Sequence, residues 1–99
     1  MALTNATQAD VGTSPATVYT VPASTVATII NINLANTEAT QIEATVTANG
    51  VVLLPAIPIP AGASFSYDCK VVLEAAQTLV VTSDTAASLD VFVSMLEQA

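Results

Sequence analysis

Alternating apolar and polar residues, interrupted by turn formers at intervals of roughly 8–12 residues, restrict the fold of this sequence more than any other feature. A strand places successive side chains on opposite faces, so alternation gives one buried and one solvated face. The segment 42–48 is the clearest case, with Ile42, Ala44, Val46 and Ala48 on one predicted face and Glu43, Thr45 and Thr47 on the other. Val and Thr favour strands, and no long stripe has the helical period of 3.6 residues. The sequence therefore predicts an all-β protein.

Eight short strands are predicted: Thr17–Val21, Val26–Leu34, Ile42–Ala48, Val51–Leu54, Ser64–Cys69, Val71–Leu73, Leu79–Thr82 and Leu89–Leu96. Within the second, Ile30, Ile32 and Leu34 are expected on one face, and Asn31 and Asn33 on the other. Asn49-Gly50 predicts a tight hairpin, because both residues tolerate the positive φ of a type I′ turn. The three prolines between 55 and 60 indicate an edge strand or a crossing segment. Residues 74–77 are compatible with one turn of helix.

The domain organisation follows from this spacing. Residues 1–14 are small, polar and aperiodic, and Ser14-Pro15 marks a break. We expect an N-terminal arm over residues 1–14, either frayed or ordered against a neighbouring molecule. Residues 15–99 are expected to form a single antiparallel β-sandwich or jelly-roll-like domain.

The last predicted strand has apolar residues on both faces. Leu89, Val91, Val93 and Met95 form one face, and Asp90, Phe92, Ser94 and Leu96 form the other. A strand that is apolar on both sides is usually buried on both sides. We therefore expect Phe92 to lie in a subunit contact or beneath the arm. The alternative is a β-bulge near Phe92 that shifts the register and turns this side chain into the core.

Several residue types that enzymes use are missing. The sequence has no histidine, one cysteine (Cys69) and one basic residue (Lys70). General acid–base catalysis near neutral pH usually needs histidine or a carboxylate with a shifted pKa, and zinc sites need clusters of His and Cys. The three glycines are isolated, so no phosphate-binding loop is present. We do not expect an enzyme, and we predict no catalytic residue, cofactor-binding residue or metal ligand.

Charge and polarity point to protein partners. Charged residues make up 9% of the sequence, against about 25% in an average soluble domain, and the net charge is −7. The acidic excess disfavours nucleic acid and anionic membranes, and no small-molecule substrate is expected. So few charges suggest that other proteins cover part of the surface, although Thr and Ser are sufficient in some extracellular β-domains. The residues expected at such an interface are Val11, Ile57, Pro58, Phe92 and Leu96.

Four runs of residues resemble a known class of proteins. They are Val18-Tyr19-Thr20-Val21-Pro22-Ala23, Ile32-Asn33-Leu34-Ala35-Asn36, Ile59-Pro60-Ala61-Gly62 and Leu73-Glu74-Ala75-Ala76-Gln77-Thr78-Leu79. The pattern is similar to that of small β-sandwich virion proteins of tailed bacteriophages, and it covers roughly residues 17–96. In that class a YTVPAG-like strand begins the sandwich, and a later turn often reads L-x-A-G-D-x-L. Here Ser24 and Ala76 stand where that pattern has glycine, and Gln77 stands where it has an acid.

The resemblance implies structural work in a virus particle. The leading expectation is a capsid decoration (cement) protein, a homo-oligomer with a trimer favoured, that binds the major capsid protein. Its location would be the virion, after synthesis in the host cytoplasm. A phage tail, neck or baseplate accessory protein is the alternative within virions. An extracellular adhesive or carbohydrate-binding β-module is the alternative from another class, and it would normally display exposed Trp or Tyr.

Overall fold

A computed structural model describes residues 2–99 and shows eight strands and no helix in that range. The strands are β1 (Ala2–Val11), β2 (Ala16–Thr20), β3 (Val26–Asn36), β4 (Ile42–Ala48), β5 (Val51–Ile59), β6 (Ser64–Leu73), β7 (Thr78–Ser83) and β8 (Leu89–Gln98). The all-β prediction is confirmed. Accordingly, residues 2–99 contain no helix suited to crossing a membrane.

The chain forms one long antiparallel hairpin that is wrapped into two sheets. β4 pairs with β5 across Asn49-Gly50, and outward from this turn β3 pairs with β6, β2 with β7, and β1 with β8. Two further pairings, β3 with β8 and β4 with β7, complete the sheets. Sheet A has the order β1-β8-β3-β6, and sheet B has the order β2-β7-β4-β5. This nested arrangement is a jelly roll, so the sandwich prediction is confirmed.

The core lies between the inner faces of the two sheets. Its largest fully buried side chains are Ile29, Ile32, Leu34, Ile42, Ile59, Leu73, Leu79, Leu89 and Met95. Full burial of each such aliphatic side chain contributes about 1.5–3 kcal/mol. The predicted inward face of β4 is confirmed, with Ala48 half-buried at its end. The hairpin turn is also confirmed, because φ is 51° at Asn49 and 76° at Gly50.

The expected N-terminal arm is a strand instead. Residues 2–8 pair in continuous register with Glu97–Val91 of β8, and Val11 pairs with Leu89 after a register shift. β1 lies at the edge of sheet A, so most of its side chains are exposed on both faces and no alternation marks it in the sequence. The backbone pairing that holds it depends little on side-chain type. Residue 1 lies outside the described residues.

Three other differences are each confined to one element. Ser64–Cys69 and Val71–Leu73 form one continuous strand, β6, so the total remains eight because β1 is added. A β-bulge shifts the register of β3 between Ile29 and Asn31 against both of its neighbours. Ile29 is therefore buried, and Ile30 lies on the outer face with 40% of its surface exposed. The structure also has a β-turn rather than a helical turn at residues 74–77, closed by a hydrogen bond from Gln77 N to Glu74 O.

Candidate protein-binding face

Phe92 lies on the outer face of sheet A, with 45% of its surface exposed. Leu89, Val91, Val93 and Met95, on the opposite side of β8, are all buried. The register shifts next to β8 fall in β1 and β3, and β8 itself is regular. The alternation predicted for this strand is therefore confirmed, and the alternative of a bulge near Phe92 is wrong. β1 runs beside Phe92 without covering it.

Strand pairing places the outer residues in rows across sheet A. Phe92 has Thr7 of β1 on one side and Asn33 of β3 on the other. Two residues further along β8, Ser94 lies between Asn5 and Asn31. The next row runs Leu3, Leu96, Thr28 and Val72, and so crosses all four strands. The outer face thus changes from polar to apolar along the direction of β8.

The apolar end of this face has large side chains from every strand of the sheet. We call it the outer apolar patch, which comprises Leu3, Val26, Ile30, Val72, Phe92 and Leu96. Leu3 and Val72 are 77% and 56% exposed. Isolated exposed apolar residues are ordinary, but a contiguous group of this kind typically marks a contact site.

Phe92 separates two shallow depressions on this face. One is lined by Thr7, Gln8, Ala9, Asn33, Ala35, Asp90, Val91 and Phe92. The other is lined by Leu3, Thr4, Asn5, Ile30, Phe92, Ser94 and Met95. Both are open to solvent, so side chains of a partner can pack on either side of the aromatic ring.

Polar side chains lie between and beside the residues of the patch. Nδ2 of Asn31 donates hydrogen bonds to Oγ of Ser66 at 3.0 Å and to Oδ1 of Asp68 at 2.7 Å. At the other end of the face, Oδ1 of Asp90 accepts a hydrogen bond of 3.0 Å from the backbone N–H of Asp10. The outer face therefore offers both apolar contacts and hydrogen-bonding groups, and protein–protein interfaces use both.

The five residues predicted for an interface lie in three different parts of the fold. Phe92 is exposed and Leu96 half-buried on the outer face of sheet A. Ile57 and Pro58 lie on β5, at the edge of sheet B. Val11 is only 2% exposed and belongs to the core, so its assignment as an interface residue is wrong.

Four members of the patch were not predicted as interface residues: Leu3, Val26, Ile30 and Val72. Leu3 belongs to the segment expected to be an arm, and the bulge in β3 places Val26 and Ile30 on the outer face. Val72 follows Val71, and only the pairing of β6 with β3 decides which of the two faces outward. The doublet Val71-Val72 was the one available signal, because one of two adjacent strand residues must point away from the core.

The interior offers no comparable site. Among residues 2–99, no group of three or more His, Cys, Asp or Glu residues is placed to hold a metal ion. Every buried side-chain nitrogen or oxygen in that range has a hydrogen-bond partner. The thiol of Cys69 donates a weak hydrogen bond to the carbonyl of Ile29, at 3.6 Å. Burial, together with the charge of Asp68, raises the pKa of this thiol, which favours the unreactive protonated form.

Comparison of the sequence with known protein families found no matching family model, and comparison with curated proteins found no match.

Proposed function

We propose that this protein is a virion structural protein that decorates a phage capsid and binds the assembled shell through the outer apolar patch. The observation that carries the proposal is the exposure of Phe92 at one end of a patch to which all four strands of sheet A contribute. The resemblance of residues 17–96 to small virion proteins of tailed phages supports the setting. A fold alone does not determine function, so the surface and the resemblance carry the proposal together.

The jelly roll occurs in viral capsid proteins and in lectins, so a carbohydrate-binding module is the competing function. Sugar rings usually stack on exposed aromatic side chains. The hydroxyl of Tyr19 is hydrogen-bonded to Glu97, and Tyr67 is half-buried against the core beside Phe65, with ring centroids 6.5 Å apart. Phe92 is the remaining candidate, and its neighbours in the patch are aliphatic. These aliphatic neighbours of Phe92 favour a protein partner over a sugar.

The mechanism would be selective binding. A protein that binds an assembled shell, and not its free subunits, stabilises the assembly by RT ln(1 + [L]/Kd) at each site. Phe92 would act as the anchor, because a few aromatic residues often contribute most of the binding energy of an interface. The net charge of −7 would steer the protein toward basic regions of a shell.

The proposal is tested by adding purified protein to capsids of its phage that lack it and measuring the bound copies by sedimentation and cryo-electron microscopy. Phe92→Ala should reduce binding, by about 2 kcal/mol or more for an anchor residue, and change the free energy of unfolding only slightly. Val93→Ala is the matched control, because its side chain is fully buried in the core and lines neither depression. It should lower the free energy of unfolding by about 2–3 kcal/mol and leave binding of the folded protein unchanged.

Three results would contradict the proposal. Wild-type protein that does not bind the shell excludes capsid decoration. A handful of copies per particle, confined to the tail or neck, supports the accessory role instead of decoration. Binding to immobilised glycans that depends on Phe92, together with no binding to particles, supports the carbohydrate-binding alternative.

A further inference from the structure

The sandwich has four edge strands: β1 and β6 in sheet A, and β2 and β5 in sheet B. An edge strand presents unpaired backbone N–H and C=O groups, which pair with another chain unless the edge is protected. Prolines, charged side chains, bulges and short length are the usual means of protection. The four edges of this protein differ sharply in these features.

Three of the edges are protected. β5 contains Pro55 and Pro58, has a positive φ at Ala56, and shows two register shifts against β4. β2 is only five residues long and contains a register shift between Thr17 and Tyr19. β6 has Asp68 and Lys70 exposed.

β1 has none of these features over most of its length. Residues 2–8, with the sequence ALTNATQ, are seven consecutive residues in regular register with β8, without proline, glycine or charge. Their side chains are mostly small and exposed. The strand becomes irregular only at Asp10, which has a positive φ of 56°. The free edge of β1 over residues 2–8 is therefore regular, neutral and accessible.

We propose that β1 pairs antiparallel with β1 of a second copy of this chain, so that two copies of sheet A form one continuous sheet of eight strands. A two-fold contact uses the same surface on both copies, so one unprotected edge is sufficient. A ring closed by strand pairing needs two different unprotected edges on each subunit, and the protection of β2, β5 and β6 argues against that. The proposed assembly is thus a dimer rather than the trimer of the leading expectation.

The regular segment fixes the register of the pair. Pairing residues 2–8 in full places the two-fold axis at Asn5, so that Asn5 faces its own counterpart and Leu3 faces Thr7 of the second copy. Asp10 then lies beyond the paired segment, which keeps the nearest carboxylates of two acidic chains apart. The contact is about 24 Å long at the rise of a strand, smaller than a standard interface. Raising the salt concentration should strengthen the dimer, because it screens the repulsion between two copies of charge −7.

The register is tested by cross-linking in a Cys69→Ala background. Directly opposed residues of an antiparallel pair have Cα atoms about 4.5–5.5 Å apart, which is within the range that a disulfide spans. Asn5→Cys should therefore form a covalent dimer under mild oxidation. Thr17→Cys, on the short edge strand β2, is the matched control and should remain monomeric.

The energetic test uses sedimentation velocity over a range of concentrations. Asn5→Asp keeps the side-chain shape and places two negative carboxylates opposite each other at the two-fold axis. Their repulsion should raise the dissociation constant of the dimer about tenfold. Thr17→Asp adds the same charge at another edge and should have little effect. Phe92→Ala should also leave dimerisation unchanged, which separates this inference from shell binding.

The proposal is overturned if wild-type protein sediments as a monomer at all concentrations and salt levels, or as a trimer. It is equally overturned if a dimer forms that Asn5→Asp does not weaken and Asn5→Cys does not cross-link, because the contact then uses a different surface. Circular dichroism of each variant shows whether the β-sheet fold is retained.

Discussion

The hydroxyl of Tyr19 donates a hydrogen bond to the carboxylate Oε2 of Glu97, and this bond ties the two sheets together. Tyr19 lies on β2, an edge strand of sheet B, and Glu97 lies near the end of β8 in sheet A. Burial raises the pKa of Tyr19 above its ordinary value, and the hydrogen bond to Glu97 and the charge of its carboxylate raise it further. The fold therefore favours the protonated phenol.

This raised pKa predicts a loss of stability at alkaline pH. The unfolded chain releases the Tyr19 proton near pH 10, and the folded protein retains it to higher pH. The stabilisation is complete below about pH 10 and is lost as the pH rises toward the folded pKa. Tyr19→Phe should lower the free energy of unfolding at pH 7 by about 1 kcal/mol, since a hydrogen bond to a charged group is removed, and should flatten the decline above pH 10.

The matched control is Tyr67→Phe, which removes the other tyrosine hydroxyl of the chain. Urea unfolding of all three proteins from pH 7 to pH 11 measures both effects. Cys69 also has a raised pKa, but it is present in all three proteins, so its contribution cancels in the comparison. Equal alkaline declines in wild type and Tyr19→Phe would contradict the role of the bond to Glu97.

The side chain of Asn36 connects the end of β3 to the neighbouring loops by hydrogen bonds. Its side chain is buried, and Nδ2 lies within hydrogen-bonding distance of the carbonyls of Thr40, Ile59 and Pro60, at 2.8, 3.0 and 3.1 Å. Its Oδ1 accepts a hydrogen bond from Glu38 N at 2.8 Å. This single side chain thus holds together the β3–β4 loop and the corner between β5 and β6.

Asn36→Asp should destabilise the protein strongly, because it replaces the donor with an oxygen that faces carbonyl oxygens. We expect a loss of at least about 3 kcal/mol at pH 7, when the new carboxylate is ionised. The loss should be smaller near pH 4, because protonation restores one donor. Asn33→Asp, on the outer face of sheet A, is the control and should cost much less. Chemical denaturation at the two pH values measures both variants.

Local sequence signals predicted the parts of this fold that local physics determines. Asn49-Gly50 is enough to specify a type I′ turn, and the alternation from Leu89 to Met95 is enough to orient β8. The orientation of Phe92, which is the basis of the candidate site, followed from the sequence for the same reason.

The remaining features depend on interactions between distant strands. β1 is held by backbone pairing with β8 at a sheet edge, and so its side chains carry no pattern. The outward position of Ile30 results from a bulge that is defined only by the neighbouring strands β6 and β8. The extent of the outer apolar patch therefore became visible only once the strand order was known.

Two of the turns that contain a non-glycine residue with positive φ are those at Ser24 and Ala76. Ala76 has φ of 69° and Ser24 has φ of 58°, in the left-handed region that glycine occupies without penalty. These are the two positions where the phage virion pattern has glycine. The backbone conformation of those turns is therefore one that glycine would suit, although the sequence has Ser and Ala.

Ala76→Gly should stabilise the protein. Glycine removes the strain of the left-handed conformation, which stabilises the folded state by about 1–2 kcal/mol. Glycine also gives the unfolded chain more conformational freedom, which offsets about 0.4–1 kcal/mol of that stabilisation. A net gain of about 0.5–1 kcal/mol is expected in thermal or urea unfolding. Ala75→Gly, at the neighbouring position without a positive φ, should instead destabilise by a similar amount. Destabilisation by both substitutions would show that Ala76 is not strained.

The last prediction concerns how firmly the N-terminal segment belongs to the fold. Val11 is buried in the core, and its backbone carbonyl accepts a hydrogen bond of 3.0 Å from the backbone N–H of Ser88. Leu3, on the same strand, is 77% exposed. Val11→Ala should therefore lower the free energy of unfolding by about 2–3 kcal/mol, and Leu3→Ala should change it by less than about 0.5 kcal/mol. Urea unfolding of both variants measures the difference. If residues 2–11 were a peripheral arm, both substitutions would change the free energy of unfolding only slightly. Two equally small changes would therefore contradict the placement of β1 in sheet A.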